Sequence, residues 1–327
     1  MKTFTSRSAG TPQQAVTLAQ DAHKAGQPVA FIAGGSDLLA LVKDRIVEPD
    51  VLVSLRGWKD ADRIVASGGQ TIIGSQVTLD ALSRHEAIAA QYPVLAQAAA
   101  SVATPQIRNV GTLGGNVAQR PWCWYFRNGF PCYKAGGHQC FSVSGENQLH
   151  AIFGGGPSFI VHPSDTAPAL VALDASFRVL GPGGERSIPA RDFFVLPRQN
   201  ATQENVLGPD DVIVSVQLPA ALAGARGRYH KVMDREAWTH AVVSAAVVLK
   251  MEGDVCRAAR VVLGGVAPIP WRLPEVEKIL TGQRITEDLA AKAGEASVVG
   301  ARALAKNAYK IPLTKGVVRR TILEARG

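Results

Sequence analysis

The chain has 327 residues, 46% apolar and 19% charged, with 35 Lys and Arg against 27 Asp and Glu for a formal net charge of +8. That balance excludes a disordered chain, and the length predicts two or three packed units. No apolar run reaches the roughly 18 residues that span a bilayer, so no membrane insertion is expected.

In chain order, Thr11-Pro12 predicts a capped helix start and Gly26 its end. Val29–Gly35 (VAFIAGG) reads as a buried strand running into glycines, and SDLLALVKD as a helix with Ser36 as its cap. VLVSLRG and TIIGS read as strands, and Thr78 to Ala103 as an alanine-rich helical stretch. The first hundred residues therefore alternate strand and helix. Leu113 to Pro157 is glycine-rich and loop-like. SFIVHPSDTAPALVALDA predicts a strand, a turn at His162-Pro163, and a helix capped by Ser164 or Asp165. SFRVLGPGGERSIPARDFF predicts a hairpin and DVIVSVQLP a further strand. A linker is expected near Ala220–Arg228. Long antiparallel strands follow in RYHKVMDR, HAVVSAAVVLKM and CRAARVVLGGVAP, then helices at Pro274–Leu280, Glu287–Leu304 and Lys315–Ala325. Lys306, Lys310, Lys315, Arg319, Arg320 and Arg326 concentrate positive charge at the C-terminus. With no nucleic-acid-binding motif beside them, they are expected on a solvated helix face rather than on nucleic acid.

Two glycine turns carry chemistry. Ala33-Gly34-Gly35-Ser36-Asp37-Leu38 lies between a strand and a helix. Glycines there let backbone amides approach a phosphate, and the helix N-terminus adds a favourable field. No Gly-Lys-Ser/Thr follows and the third dinucleotide glycine is missing, so a plain tight turn is the alternative. Ala103 to Asn116 (ATPQIRNVGTLGGN) repeats a Gly-Gly pair beside Thr112 and Asn116. Two such turns suit the two phosphates of one dinucleotide.

FIAGGSDLL, TPQIRNVGTLGGN, HPSDTAPALVALDA and VVLGGVAPIPWR, in this order along nearly the whole chain, resemble the FAD-binding subunits of the molybdenum hydroxylases. That group includes xanthine dehydrogenase, carbon monoxide dehydrogenase and bacterial aldehyde oxidoreductases. The resemblance implies an α+β chain. A bilobal FAD-binding domain of the vanillyl-alcohol-oxidase type would cover 1–222, with lobes of about 1–57 and 58–222. A C-terminal domain of the CO dehydrogenase flavoprotein type, with a three-stranded sheet, would cover 226–327. It further implies that Phe31, Ile32, Ala33, Gly34, Gly35, Ser36, Asp37 and Leu38 bind FAD from one lobe. Ala103, Thr104, Gly111, Thr112, Gly115, Asn116 and Ala118 would bind it from the other. Ser164 and Asp165 would meet ribityl or ribose hydroxyls, and Ile213 the isoalloxazine. Lys231 would lie by the pyrimidine edge, a surface ion pair being its alternative.

Arg120 to Cys140 (RPWCWYFRNGFPCYKAGGHQC) holds Cys123, Cys132 and Cys140, with eight and seven residues between them. Within an insertion of about 120–158, it resembles the cluster-bearing loop of the periplasmic-type aldehyde oxidoreductase branch. That implies a [4Fe-4S] cluster on these three thiolates, the usual ligands of such clusters. The branch's fourth cysteine position is Ser158 here. Ser158, His138, His150, His162 or a water as fourth ligand, a three-iron cluster, a relic loop and a Cys3His zinc site all stay open. Cys256 reads as a small buried hydrophobe. The implied function is an FAD-binding electron-transfer subunit, with no residue touching the organic substrate. It would work in a heterotrimer, or its dimer, with a molybdenum-cofactor large subunit and a [2Fe-2S] small subunit, acting on an aldehyde. A self-contained FAD-dependent oxidase and a non-catalytic binding module are the other classes. The N-terminus, MKTFTSRSAGTPQQ, has no signal-like apolar stretch and four cysteines do not suit a disulfide scaffold. A cytoplasmic location is therefore expected, with co-export on a partner's signal as the alternative.

Overall fold

A computed structural model describes residues 1–220, 225–237 and 239–327. The first of three sheets is parallel, with strands β1 (Thr5–Ser8), β2 (Val29–Ile32) and β3 (Val51–Ser54) in the order β1-β3-β2. Helix Pro12–Lys24 forms the crossover from β1 to β2. Thr11 accepts from the Gln14 amide at 3.1 Å, Pro12 stands in the first turn, and Gly26 leaves the helix at φ 72°. The second sheet is antiparallel. It contains β4 (Ile64–Ser67), β5 (Gln70–Gly74), β6 (Ser176–Gly181), β7 (Gly184–Pro189) and β8 (Val212–Leu218), in the order β4-β5-β8-β6-β7.

The third sheet holds β9 (Ala225–Val232), β10 (Val243–Glu252), β11 (Val255–Gly264) and β12 (Trp271–Arg272), in the order β12-β11-β10-β9. Its central strand explains the unbroken apolar run of the sequence. Ala246 and Val248 join the core beneath helix Pro93–Ala100, while Ala245, Val247 and Leu249 join a separate core under the last helices. Alternate side chains of one strand point to opposite faces, and here both faces are covered. Cys256 is fully buried in that second core, as a small hydrophobe should be.

Several expectations are corrected. The helical stretch over 78–103 is three helices, Leu79–Arg84, Glu86–Gln91 and Pro93–Ala100. His85 is extended (φ −70°, ψ 117°), and Tyr92, preceding Pro93, sits at φ −132°, ψ 55°. A residue before proline is pushed out of the helical region. Strands β1 and β4 were not foreseen; β4 pairs with β5 across Gly68 and Gly69, both at positive φ. SFIV forms no strand and is tied instead by single bonds such as Ala151 N to Phe159 O at 2.9 Å. The helix expected over 287–304 ends at Ala296, and the last helix begins at Lys310, with Pro312 in its first turn, where a missing N–H breaks no helical bond. The C-terminal sheet gains β12 as a fourth, two-residue strand. Part of the linker expected near Ala220–Arg228, residues 221–224, lies outside the described residues.

Lys310 departs from the solvated basic face. It is fully buried, and its Nζ donates to Gly265 O at 2.7 Å and Leu149 O at 2.9 Å. Burial pulls its pKa down to about 7. The other basic groups of this region are largely exposed and ion-paired, as in Lys315–Glu295 and Arg319–Glu287.

Candidate functional site

The two glycine turns meet across one cavity of about 510 Å³, within the size range of ligand sites. The first turn follows β2 and runs into helix Leu38–Lys43; the second joins helices Pro105–Val110 and Leu113–Ala118. A Cβ added at Gly34 would stand 1.9 Å from Val110 O, so only glycine lets the turns touch. Gly35 has φ 77°, a left-handed conformation that favours glycine. Arg56, at the surface, donates from Nε to Ala33 O at 3.1 Å and so turns that carbonyl aside. The first N–H groups of a helix have no intrahelical acceptor, and the first turn brings those of helix Leu38–Lys43 to the cavity; at the second turn Leu113 N donates to Val77 O and Gly114 N to Ser75 O, each at 2.9 Å. Ser36 does not cap the first helix. Asp37 takes the cap position without a side-chain cap bond.

Instead, Asp37 is clamped to the cysteine loop. Its Oδ1 accepts from Arg127 at 2.6 Å and its Oδ2 from the Arg120 amide at 3.0 Å. The same guanidinium lies 4.2 Å over the Trp122 ring. A carboxylate beside a phosphate-binding turn would repel the ligand, and the paired Arg127 offsets that charge.

On the opposite wall, Thr112 accepts from the Gly115 amide at 3.1 Å and so caps helix Leu113–Ala118. Asn116 Oδ1 accepts from Ser164 Oγ at 2.6 Å and Thr166 Oγ1 at 2.7 Å, which leaves its NH2 as the remaining donor edge. Asp165 is 3% exposed and holds two partners, Tyr229 O–H and Lys231 Nζ, each at 2.7 Å. Burial and the neighbouring carboxylate raise the Tyr229 hydroxyl well above its usual pKa. Tyr229 therefore stays a donor.

Fourteen of the residues singled out in the sequence line the cavity: Phe31, Ala33, Gly34, Gly35, Ser36, Asp37, Leu38, Ala103, Gly111, Thr112, Gly115, Asn116, Ala118 and Asp165. Five do not. Thr104 caps helix Pro105–Val110, and Ser164 orients Asn116 while accepting from Ala167 N at 3.0 Å. Ile32 lies on β2, paired with Ser54. Ile213, opposite Val179 on β6, packs into the core, because the pleat turns alternate β8 side chains away from one another. Lys231 reaches neither the cavity nor the surface. It is a buried ion pair with Asp165 and also donates to Ser101 O at 3.0 Å.

Trp122, Thr239 and His240 line the cavity and were missed. Trp122 packs on His240 with ring centroids 5.3 Å apart, so the cysteine loop and the C-terminal domain close one end together. Burial lowers the His240 pKa and favours the neutral ring. Trp122 had a signal in its place beside Cys123; His240, a lone histidine before an apolar strand, had none.

Behind Trp122, Cys123 and Cys132 pack with Phe126 and Leu41. Cys123 Sγ lies 3.4 Å from His150 Nε2, and Cys140 Sγ accepts from the Phe159 amide at 3.5 Å. Burial pushes the Cys123 thiol up to about 11, and charge on Cys132 and Cys140 adds to the rise. Ser158 is buried and His138 exposed. His162 accepts from the Ser164 amide at 3.3 Å and packs edge-on to Phe194. Among the described residues, no three His, Cys, Asp or Glu side chains converge as ligands of one metal ion do, which leaves the Cys3His zinc alternative without support.

Residues 2–221 match the family described as the FAD binding domain in molybdopterin dehydrogenase, and residues 228–325 the CO dehydrogenase flavoprotein C-terminal domain. The chain is 36% identical over 333 residues to the aldehyde oxidoreductase FAD-binding subunit PaoB of Escherichia coli (strain K12), covering 100% of this chain and 99% of that protein. It is 27% identical to the carbon monoxide dehydrogenase medium chain of Hydrogenophaga pseudoflava, over 84% of this chain and 79% of that one. Among solved structures, quinoline 2-oxidoreductase from Pseudomonas putida 86 superposes with a TM-score of 0.77 at 26% identity, covering 100% of this chain and 98% of that chain.

Proposed function

Because this chain belongs to the FAD-binding medium-subunit family of the molybdenum hydroxylases, we propose that it serves an aldehyde-oxidising complex, taking electrons from partner subunits and delivering them to an external acceptor. The observation that carries the reading is the cavity between two glycine turns, with the start of helix Leu38–Lys43 beside it and Asp37 neutralised by Arg127. FAD, when bound, supplies two-electron chemistry at its ring. The chain's own residues bind and orient it. Amides of the first turn, Ala33–Leu38, would meet the phosphates, and the Gly111–Asn116 turn would close on them from the other side. Asp165, fixed by Tyr229 and Lys231, would accept from ligand hydroxyls. Trp122 and His240 restrict water at one end.

The aldehyde class rests on the full-length likeness to the aldehyde oxidoreductase subunit. The same likeness supports a heterotrimer with a molybdenum-cofactor subunit and a [2Fe-2S] subunit. Domain limits of 1–222 and 226–327 are part of this reading, as is a cytoplasmic location. No helix among the described residues is long and apolar enough to cross a membrane. The donor set of Cys123, Cys132 and Cys140 supports an iron–sulfur cluster in the loop. Soft thiolates, packed with Phe126 and Phe141, suit iron and sulfide.

Anaerobic purification with an absorption spectrum, flavin release, and iron and sulfide analysis tests the assignment. One FAD per chain is expected, together with iron and sulfide. A chain that neither retains nor rebinds FAD overturns the flavin reading; FAD without iron overturns the cluster alone.

A further inference from the structure

Glu204 is a buried carboxylate that FAD binding by the cavity leaves without a task. It is 4% exposed and lies outside the cavity wall. Two cations of the cysteine loop meet it as ion pairs. Arg120 Nε stands 2.8 Å from Glu204 Oε2, and Lys134 Nζ 3.0 Å from Oε1. Lys134 is buried too and donates to Gln203 O at 2.7 Å, while Arg120 donates to Thr202 O at 3.3 Å. The anchor is itself fixed. Val195 N donates to Glu204 O at 3.0 Å, and Phe194, bridged to Asn205, packs edge-on to Phe177 and Phe193 in the core. Opening this contact would strand a buried carboxylate and a buried ammonium, so the loop is held firmly here.

The segment so held is also part of the wall. Arg120 and Trp122 line the cavity. At the first glycine turn, Asp37 accepts from the Arg120 amide and the Arg127 guanidinium. Trp122 meets His240 with ring centroids 5.3 Å apart, and Arg127 lies over the same Trp122 ring. Residues 120–134 are therefore fastened at three places: Asp37 beside the first turn, Glu204 ahead of β8, and His240 ahead of β10. Asp37 and His240 line the cavity, so changing either alters the wall as well as the fastening. Glu204 stands behind the wall and affects only the fastening.

We propose that residues 120–134 form a strap that must lift for FAD to enter or leave, and that Glu204 is the positioning residue that holds it shut. This rests on the reading that the cavity binds FAD. It has a kinetic consequence. A change shifts affinity only through a different interaction with the free and the occupied state. Glu204 touches no ligand, so its loss eases lifting by the same factor with or without FAD. Entry and exit both quicken, and affinity stays. Loss of a direct ligand contact acts mainly on release and weakens binding.

The test uses the full chain stripped of flavin and mixed with FAD in stopped flow, with flavin fluorescence as the signal. Release is followed by chasing bound radiolabelled FAD with excess unlabelled FAD. In the unaltered chain, the observed association rate should level off as FAD rises, at the rate of strap opening. Glu204→Gln should raise both that plateau and the release rate by roughly tenfold, with Kd kept within about threefold. Should Glu204→Gln fail to fold because Lys134 has lost its anion, Lys134→Met/Glu204→Gln removes both charges and takes its place. The plateau in the unaltered chain is decisive without either variant. An association rate that climbs linearly with FAD, or a Glu204 variant that alters release but not association, overturns the strap while the FAD site stands. A chain that neither retains nor rebinds FAD overturns the flavin reading and this proposal with it.

Discussion

Gly34→Ala adds one methyl group where the two turns touch. Gly34 does not have a positive φ, so alanine meets no backbone strain and the effect is purely steric. The new Cβ would stand 1.9 Å from Val110 O, whereas real Cβ contacts essentially never fall below 3.0 Å. The turns must therefore part by about 1 Å. The obstacle is a backbone carbonyl at the end of helix Pro105–Val110, not a side chain that can swing away. Overpacking of this kind destabilises by about 1–3 kcal/mol. In the proposed site FAD lies between both turns, so the larger effect falls on its binding. We expect at least tenfold weaker binding, or about 1.4 kcal/mol. The assay is titration of the apo-chain with FAD, followed by flavin fluorescence, with circular dichroism to verify the fold. Gly183→Ala is the control, because it lies outside the cavity and its Cβ would meet nothing within 4 Å. If Gly34→Ala binds FAD within threefold of the unaltered chain, the two turns do not grip one ligand.

Arg127→Met bares Asp37 at the phosphate turn. FAD affinity should fall roughly tenfold and recover most of that loss in the Asp37→Asn/Arg127→Met double variant, measured by the same titration as a double-mutant cycle. Lys231→Met leaves the buried Asp165 without its cation. Urea unfolding should show a loss of about 3–5 kcal/mol, and Asp165→Asn/Lys231→Met should lose less than the two single changes summed. Lys310 gives a pH signature. Its folded pKa, about 7, lies below the unfolded 10.5, so between these values the unfolded chain binds the extra proton and stability rises with pH. The gain should be about 2–3 kcal/mol between pH 7.5 and 9.5. Lys310→Met should flatten that rise in chemical denaturation; an unchanged slope refutes a neutral buried lysine.

The sequence by itself determined the alternation of strand and helix, the two glycine turns and the thiol-bearing loop. These are local signals. A glycine pair between a strand and a helix, a Thr-Pro start and a hairpin glycine each act over a few residues. The fourteen cavity-lining residues found in advance sit in or beside such signals. Tertiary structure alone decided the rest. Nothing near Lys231 in the chain announces that its partner is Asp165, a separation of 66 residues, and burial of both turns an expected flavin contact into a supporting ion pair. Asp37 meets Arg127 across 90 residues, which converts an awkward charge at a phosphate turn into the clamp that seats the cysteine loop. His150 comes beside Cys123 where Asn307 of the C-terminal domain donates to its carbonyl and Lys310 to that of Leu149. Periodicity reports which face of an element is buried. It does not report what that face is buried against, and the chemistry of this site is set by those pairings.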